Sequence, residues 1–172
     1  GLDKKLFQPI LIGITKAGKW VALDENYPLT IKNRVMPTIE DNGTTVQLSA
    51  GGLVIDGAFV EIDCVFSILH GEFGEDGKIQ QLLEDAEIPY VGSGVKASAD
   101  AMDKARAKEL FVAAGLKVAP GQVMVKGQNL PDAQAITYPV FVKPSSGGSS
   151  RGTHKVKSAD KLAAAIADAF LY

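Results

Sequence analysis

The sequence predicts an α/β protein, with an open, mostly parallel sheet in its N-terminal part and a small α+β unit after it. Three observations predict this. Residues 10–14 and 64–69 are continuous apolar runs, the pattern of strands covered on both faces. The second run leads into a glycine- and acid-rich turn and then a helical pattern, and open sheets bind ligands at that place, outside the carboxyl ends of their strands. From residue 98 onward the order is helix, strand, strand, glycine loop, strand, helix, with the loop joining adjacent antiparallel strands.

A chain of 172 residues with 46% hydrophobic content can bury one respectable core or two small ones. A net charge of −2 argues against nucleic acid as a partner, which calls for a basic stripe. No apolar run reaches the length of a membrane span, and no signal-peptide pattern is present. The single cysteine, Cys64, rules out an internal disulfide and fits a reducing compartment. Beside Val65 and Phe66 it reads as a small buried hydrophobe. The chain opens Gly1-Leu2 without methionine, which reads as a cut end.

Taken in order, 10–14 is the first strand, 16–19 supplies a turn, and 20–23 returns as its hairpin partner. Residues 24–50 carry two prolines and scattered Asn, Asp and Gly, so they read as surface loops with one short strand near 46–48. The run 64–69 ends at His70-Gly71, and a helix follows with apolar positions 79, 82, 83 and 86. Glu75 and Asp76 stand where a helix N-terminus favours negative charge, a purely structural role. His70 ends a strand and faces a polar turn, which makes it a candidate functional residue. After a short strand at 88–91, residues 92–97 spell the dinucleotide fingerprint G-x-G-x-x-A. The acid that fingerprint requires is missing from the next strand-like run, 121–125. Two S-x-x-K strings, Ser93/Lys96 and Ser158/Lys161, lack the companion motifs of penicillin-recognising enzymes. Both are coincidences of lettering.

Ser98 or Asp100 caps a helix running through Ala114, with Gly115 as a left-handed stop and Ala107, Leu110, Phe111 and Ala114 as its apolar face. Lys104, Arg106 and Lys108 read as solvated cations on this helix. A strand at 122–125 and a polar connection precede the strand 140–143, which Pro144 halts. The segment 145–152 then holds three glycines, four serines and no apolar side chain. Ordering it costs roughly 1–2 kcal/mol per residue, so a ligand must supply compensation. Backbone N–H groups, serine hydroxyls and the flanking Lys143 and Arg151 suit a polyanion such as a nucleotide phosphate. A Gly/Ser tract also makes a flexible linker. Its shortness, its position between strand-like runs at 140–143 and 153–156, and the lysine that precedes it favour a phosphate loop. It is no Walker loop, since it joins two strands and lacks the G-K-[ST] ending. Ser158 caps a last helix with apolar positions 162, 165, 166, 169 and 170. No internal repeat is present.

Residues 70–80, reading H-G-E-F-G-E-D-G-K-I-Q, resemble the first signature of the D-alanine–D-alanine ligases. Pro89-Tyr90-Val91-Gly92-Ser93, Met102-Asp103-Lys104 and the stretch from Val142-Lys143-Pro144-Ser145 to Ser149-Ser150-Arg151-Gly152 follow in that family's order and spacing. The resemblance runs over nearly the whole chain. Gln81 departs from it, because the family usually has a small residue there, which alters helix packing. The resemblance implies an ATP-grasp fold: residues 1–95 as an N-terminal α/β substrate domain lacking its first strand, and 96–172 as an incomplete central nucleotide-gripping subdomain. It implies ATP and magnesium (Mg2+) as cofactors, D-alanine as substrate, a cytoplasmic setting, a role in peptidoglycan synthesis, and a homodimer formed through the N-terminal domain.

By the same resemblance, Lys104 and Lys143 contact nucleotide phosphates. Ser149, Ser150 and Gly152 lie in the loop that closes over the γ-phosphate, with Ser149 in a catalytic hydrogen-bond network, and His70 lines the first D-alanine pocket. No metal ligand falls in this sequence. The catalytic glutamate precedes it, and the magnesium ligands, an oxyanion-stabilising arginine and the selectivity lid follow it in the family's third domain. The 172-residue piece is therefore expected to be inactive and to bind ATP poorly. Ligation to D-lactate or D-serine is the near alternative, and a non-catalytic fragment that keeps only the fold is the distant one. The H-G-x-x-G-E-D-G signature argues against other ATP-grasp enzymes.

Overall fold

The structure is a computed structural model that describes residues 2–28, 30, 31 and 37–172. Part of the loop expected at 24–50 lies outside these residues. The chain divides into two compact units, one of Gly1–Val65 and Leu82–Val91, the other of Phe66–Gln81 and Gly92–Tyr172.

In the first unit, β1 (Leu11–Ile14) and β2 (Trp20–Leu23) form the expected antiparallel hairpin, with Leu11 opposite Leu23 and Ile14 opposite Trp20. β3 (Val46–Ser49), β4 (Gly52–Ile55) and β5 (Ala58–Glu61) make an antiparallel meander, of which only β3 was foreseen. Asp56 and Gly57, at φ +48° and +85°, form the turn between β4 and β5, the two-residue Asp-Gly hairpin signal. β6 (Val65–Phe66) neighbours β7 (Tyr90–Val91), and the Val65 N–H donates to the Pro89 carbonyl at 2.8 Å. The core comprises Val21, Val46, Leu53, Leu83, Ala86 and Ile88. The Gly51 N–H, in the β3–β4 turn, donates to the Ala86 carbonyl and ties that turn to the end of α1 (Lys78–Asp85).

Two expectations need correction here. The mixed α/β class is as expected, but the sheets of the described residues are small and mostly antiparallel rather than one open, mostly parallel sheet. The cause is local: short loops can join antiparallel strands, whereas a parallel pair needs a crossover of about a dozen residues or more. The run 64–69 contributes only two strand residues and is not buried on both faces. Cys64 is exposed, and so are Phe66 and Ile68.

In the second unit the long helix expected from 98 or 100 is two helices, α2 (Val95–Met102) and α3 (Lys104–Ala113). Asp103 breaks them with extended backbone, and its carboxylate accepts from the Ala105 and Arg106 N–H groups. The cap is thus Asp103, while Ser98 lies buried inside α2 with its hydroxyl donating to the Ser93 carbonyl. Gly115 does end the helix in left-handed geometry, at φ +78°. The strand expected at 122–125 does not form, and Val123 and Val125 are exposed. Strand propensity needs a neighbouring edge to be realised, and no strand pairs with this segment among the described residues.

β8 (Val140–Val142) and β9 (His154–Val156) pair antiparallel, with Val140 opposite Val156 and Val142 opposite His154. Ser158 starts a 3-10 turn, its hydroxyl bonding Asp160 instead of capping the backbone, and α4 (Leu162–Ala169) follows. Val156, Leu162, Ala165 and Ile166 form the core, with Tyr138, Val140, Val142 and Phe170 packed on it. His154 Nε2 and Asp168 Oδ2 stand 2.7 Å apart and add a polar tie between β9 and α4. The hairpin is thereby fastened to the helix, and the glycine loop projects from a fixed base.

Candidate functional site

The loop between β8 and β9 borders a solvent-open cavity of about 320 Å³, lined among others by Lys104, Lys143, Ser149, Ser150, Arg151 and Thr153. β8 delivers Lys143, the first residue past its end, and the pairing with β9 brings Thr153 back to face it. Ser149 and Ser150 hold successive left-handed conformations, φ +53° and +56°, between Gly147 at +111° and Gly152 at +62°. Left-handed backbone costs an L-residue about 1–2 kcal/mol, and such strain gathers at ligand sites. Inside the loop, Arg151 N–H donates to Gly148 O at 3.3 Å and Thr153 N–H to Ser150 O at 3.2 Å.

The N-terminus of α3 holds the loop's entry. The Lys104 N–H donates to Ser145 O at 2.9 Å, and its ammonium donates to Gly147 O at 2.8 Å and Ser145 O at 3.3 Å. The Ser145 hydroxyl donates to Asp103 Oδ1 at 2.6 Å. This bond, followed by the Arg106 N–H, keeps the Asp103 carboxyl below the usual carboxylate range. Partial burial, and secondarily the nearby charge of Lys143, pushes the Lys104 ammonium below the ordinary lysine value despite Asp103. Two ammonium groups therefore repel each other beside one cavity, and an anion would relieve that repulsion. The Arg151 guanidinium lies 5.0 Å from the Tyr172 ring centroid, a cation–π contact.

Of the residues expected to carry function, Lys104, Lys143, Ser149 and Ser150 line this cavity. Gly152 belongs to the same loop but packs under Tyr172; a Cβ there would stand 2.5 Å from Tyr172 Cδ2. His70 is exposed at the start of the acid turn. The loop tip comes against that turn, since a Cβ on Gly148 would stand 4.0 Å from Gly71 Cα. Asp76 accepts from the Phe73 and Lys78 N–H groups at 3.0 and 3.1 Å, which is the structural role expected of it. Burial raises its pKa, but the Phe73 N–H and Lys78 outweigh that and hold it low. Glu75 accepts from the Gly71 N–H. Sequence reasoning missed Asp103 as the helix cap and counted the Ser145 hydroxyl among those offered to a polyanion, whereas it bonds Asp103. The signal was present, because aspartate is among the preferred caps before a helix. Among the described residues no cluster of three or more His, Cys, Asp or Glu side chains could hold a metal ion.

The family model described as D-ala D-ala ligase N-terminus matches residues 1–93, and that described as D-ala D-ala ligase C-terminus matches residues 110–172. The D-alanine–D-alanine ligase of Mycobacterium bovis is 44% identical over 183 residues, covering 98% of this chain and 49% of the relative. Among solved structures, the D-alanine–D-alanine ligase from Coxiella burnetii superposes with a TM-score of 0.83 at 28% identity, covering 99% of this chain and 53% of that one. A D-Ala:D-Ser ligase from Enterococcus faecalis does so at 0.74 and 30%, covering 99% and 52%. The chain spans about half the length of the curated relatives it matches.

Proposed function

The chain belongs to the D-alanine–D-alanine ligase family, and on that premise we propose that it forms the substrate- and nucleotide-gripping part of an enzyme that joins two D-alanines using ATP. The observation that carries this reading is the meeting of Lys104, Lys143 and the strained serine/glycine loop at one cavity. In the proposed reaction a carboxylate oxygen of the first D-alanine attacks the γ-phosphorus, and ADP leaves. The amine of the second D-alanine then attacks the acyl phosphate carbon, the C–O bond to phosphate breaks, and the amine's proton passes to a base. Phosphoryl transfer of this kind asks for positioning and charge neutralisation more than for a reactive side chain.

The division of labour we propose gives the phosphates to Lys104, Lys143 and the backbone N–H groups of the loop that ends at Gly152. The hydroxyls of Ser149 and Ser150 orient the γ-phosphate, Ser149 through a catalytic hydrogen-bond network, and His70 lines the first D-alanine pocket. Residues 1–95 act as the substrate domain and 96–172 as the nucleotide-gripping one. Magnesium belongs to the family's chemistry, but the described residues do not gather a ligand set for it, so the roles above rest on this chain's cations and amides. A cytoplasmic setting, a place in peptidoglycan synthesis and a homodimer formed through the N-terminal domain belong to the same reading. No helix of the described residues is long and apolar enough to cross a membrane.

The test is ATP affinity in a protein of the relatives' full length that carries this sequence, compared with its Lys143→Ala variant. A charge-assisted contact is worth about 1.5–3 kcal/mol, so the variant should bind about tenfold more weakly or worse. An unchanged dissociation constant would return Lys143 to the role of a surface cation. The 172-residue chain by itself should release no D-alanine-dependent phosphate from ATP. The likeness to the D-Ala:D-Ser ligase supports D-serine as the alternative second substrate, and D-lactate is the other; competition between the three amino or hydroxy acids, read as phosphate release by the full-length protein, separates them.

A further inference from the structure

The segment 103–104 and the loop entry 145–147 lie some forty residues apart in sequence and are joined by four hydrogen bonds. The Lys104 main chain and ammonium both bond Ser145 O, the ammonium also bonds Gly147 O, and the Ser145 hydroxyl bonds Asp103 Oδ1. One carboxylate oxygen, Asp103 Oδ1, therefore does two things at once. It caps α3 through the Ala105 and Arg106 N–H groups, and it holds the first serine of the loop. Among the described residues nothing else anchors the loop's entry comparably: residues 145–150 are exposed, and the bonds inside the loop are its own.

We propose that Asp103 is a positioning residue for the phosphate loop, clamping its entry through Ser145 so that Lys104 and Lys143 are held at one spacing before any ligand arrives. The inference rests on the phosphate reading of the loop and deepens it. Asp103 touches no phosphate. It lowers the ordering that a ligand must otherwise impose on a glycine-rich segment, since each residue fixed in advance is entropy not lost on binding. Lys104 follows Asp103 directly, so the same break between α2 and α3 that caps the helix also aims the lysine at the loop carbonyls.

Three variants separate this role from simple helix capping. Asp103→Ser keeps a good cap but is one atom shorter and loses its reach to Ser145. Ser145→Ala removes the tether and leaves the cap untouched. Asp103→Asn retains an acceptor for both. The probe is inorganic tripolyphosphate, titrated by nuclear magnetic resonance on a protein of the relatives' full length that carries this sequence, with Lys143→Ala alongside. Exchange of the Lys104 amide hydrogen, which Ser145 O protects, is read on the unliganded chain.

Asp103→Ser and Ser145→Ala should each weaken tripolyphosphate binding about five- to tenfold, in keeping with the net worth of one ordinary hydrogen bond. Both should speed exchange at Lys104 while lowering the melting temperature by no more than about 2–4 °C, and Asp103→Asn should restore most of the affinity. Wild-type affinity and wild-type exchange in Asp103→Ser and Ser145→Ala would overturn the clamp while leaving the phosphate site standing. If wild type binds no tripolyphosphate, or Lys143→Ala binds as well as wild type, it is the phosphate reading that falls. Exchange at Lys104 then still decides whether the tether exists.

Discussion

Lys104 is a residue whose chemistry depends on its position in the fold. Burial and the neighbouring Lys143 hold its ammonium below the ordinary lysine value of 10.5. A lysine whose folded-state pKa is depressed binds fewer protons folded than unfolded between the two values, so its charged form opposes folding at low pH. That opposition fades as pH rises through the lowered pKa. The effect on ligands runs the other way: polyphosphate affinity should fall as pH climbs through the same window, earlier than an ordinary lysine would dictate. A pH series of tripolyphosphate titrations checks this, and an affinity flat up to the ordinary lysine range would contradict it. Asp103 has the opposite sign. Its folded pKa is depressed, so its contribution is complete above the unfolded carboxyl value and is lost only as pH falls through the folded one.

Among the elements, the acid turn before α1 shows how backbone geometry dictates residue type. Gly77 sits at φ +94°, and a Cβ there would stand 2.7 Å from the Val95 carbonyl oxygen, a backbone atom that cannot swing aside. Gly18, in the β1–β2 turn, has a similar φ of +82° but open space around it. Gly77→Ala should therefore cost about 2–4 kcal/mol, strain plus collision, and Gly18→Ala about 1 kcal/mol, strain alone. Equal costs in urea unfolding would show that the approach of Val95 does not matter. The β8–β9 hairpin is the other element on which the site depends. Its strands are three residues each, and its stability comes from the face packed on α4 rather than from its own ladder.

At the scale of the whole molecule, each unit carries its own small core, as a chain of this length allows. Leu83 is 1% exposed in one and Ile166 is 6% exposed in the other. Leu83→Ala and Ile166→Ala should each cost about 2–5 kcal/mol of stability, measured by denaturant unfolding, and a cost near zero for either would mean that its core is misassigned. Much of this was legible in the amino-acid order. The hairpin 11–23, the helix from Lys78, the buried face of α4 and the antiparallel strands around the glycine loop all follow from periodicity and turn residues, which act over a few positions. The signature at 70–80 and the loop at 145–152 pointed to the family for the same reason: glycine, serine and charge at fixed spacing carry their chemistry locally. What the tertiary structure alone decided were matters of distant partners. Residues 122–125 have strand composition but no strand beside them among the described residues, Cys64 and Phe66 lie in an apolar run yet face outward, and the Asp103 carboxylate that caps α3 also holds Ser145, forty-two positions away. Propensity is a property of a segment; pairing and burial are properties of what the folded chain places next to it.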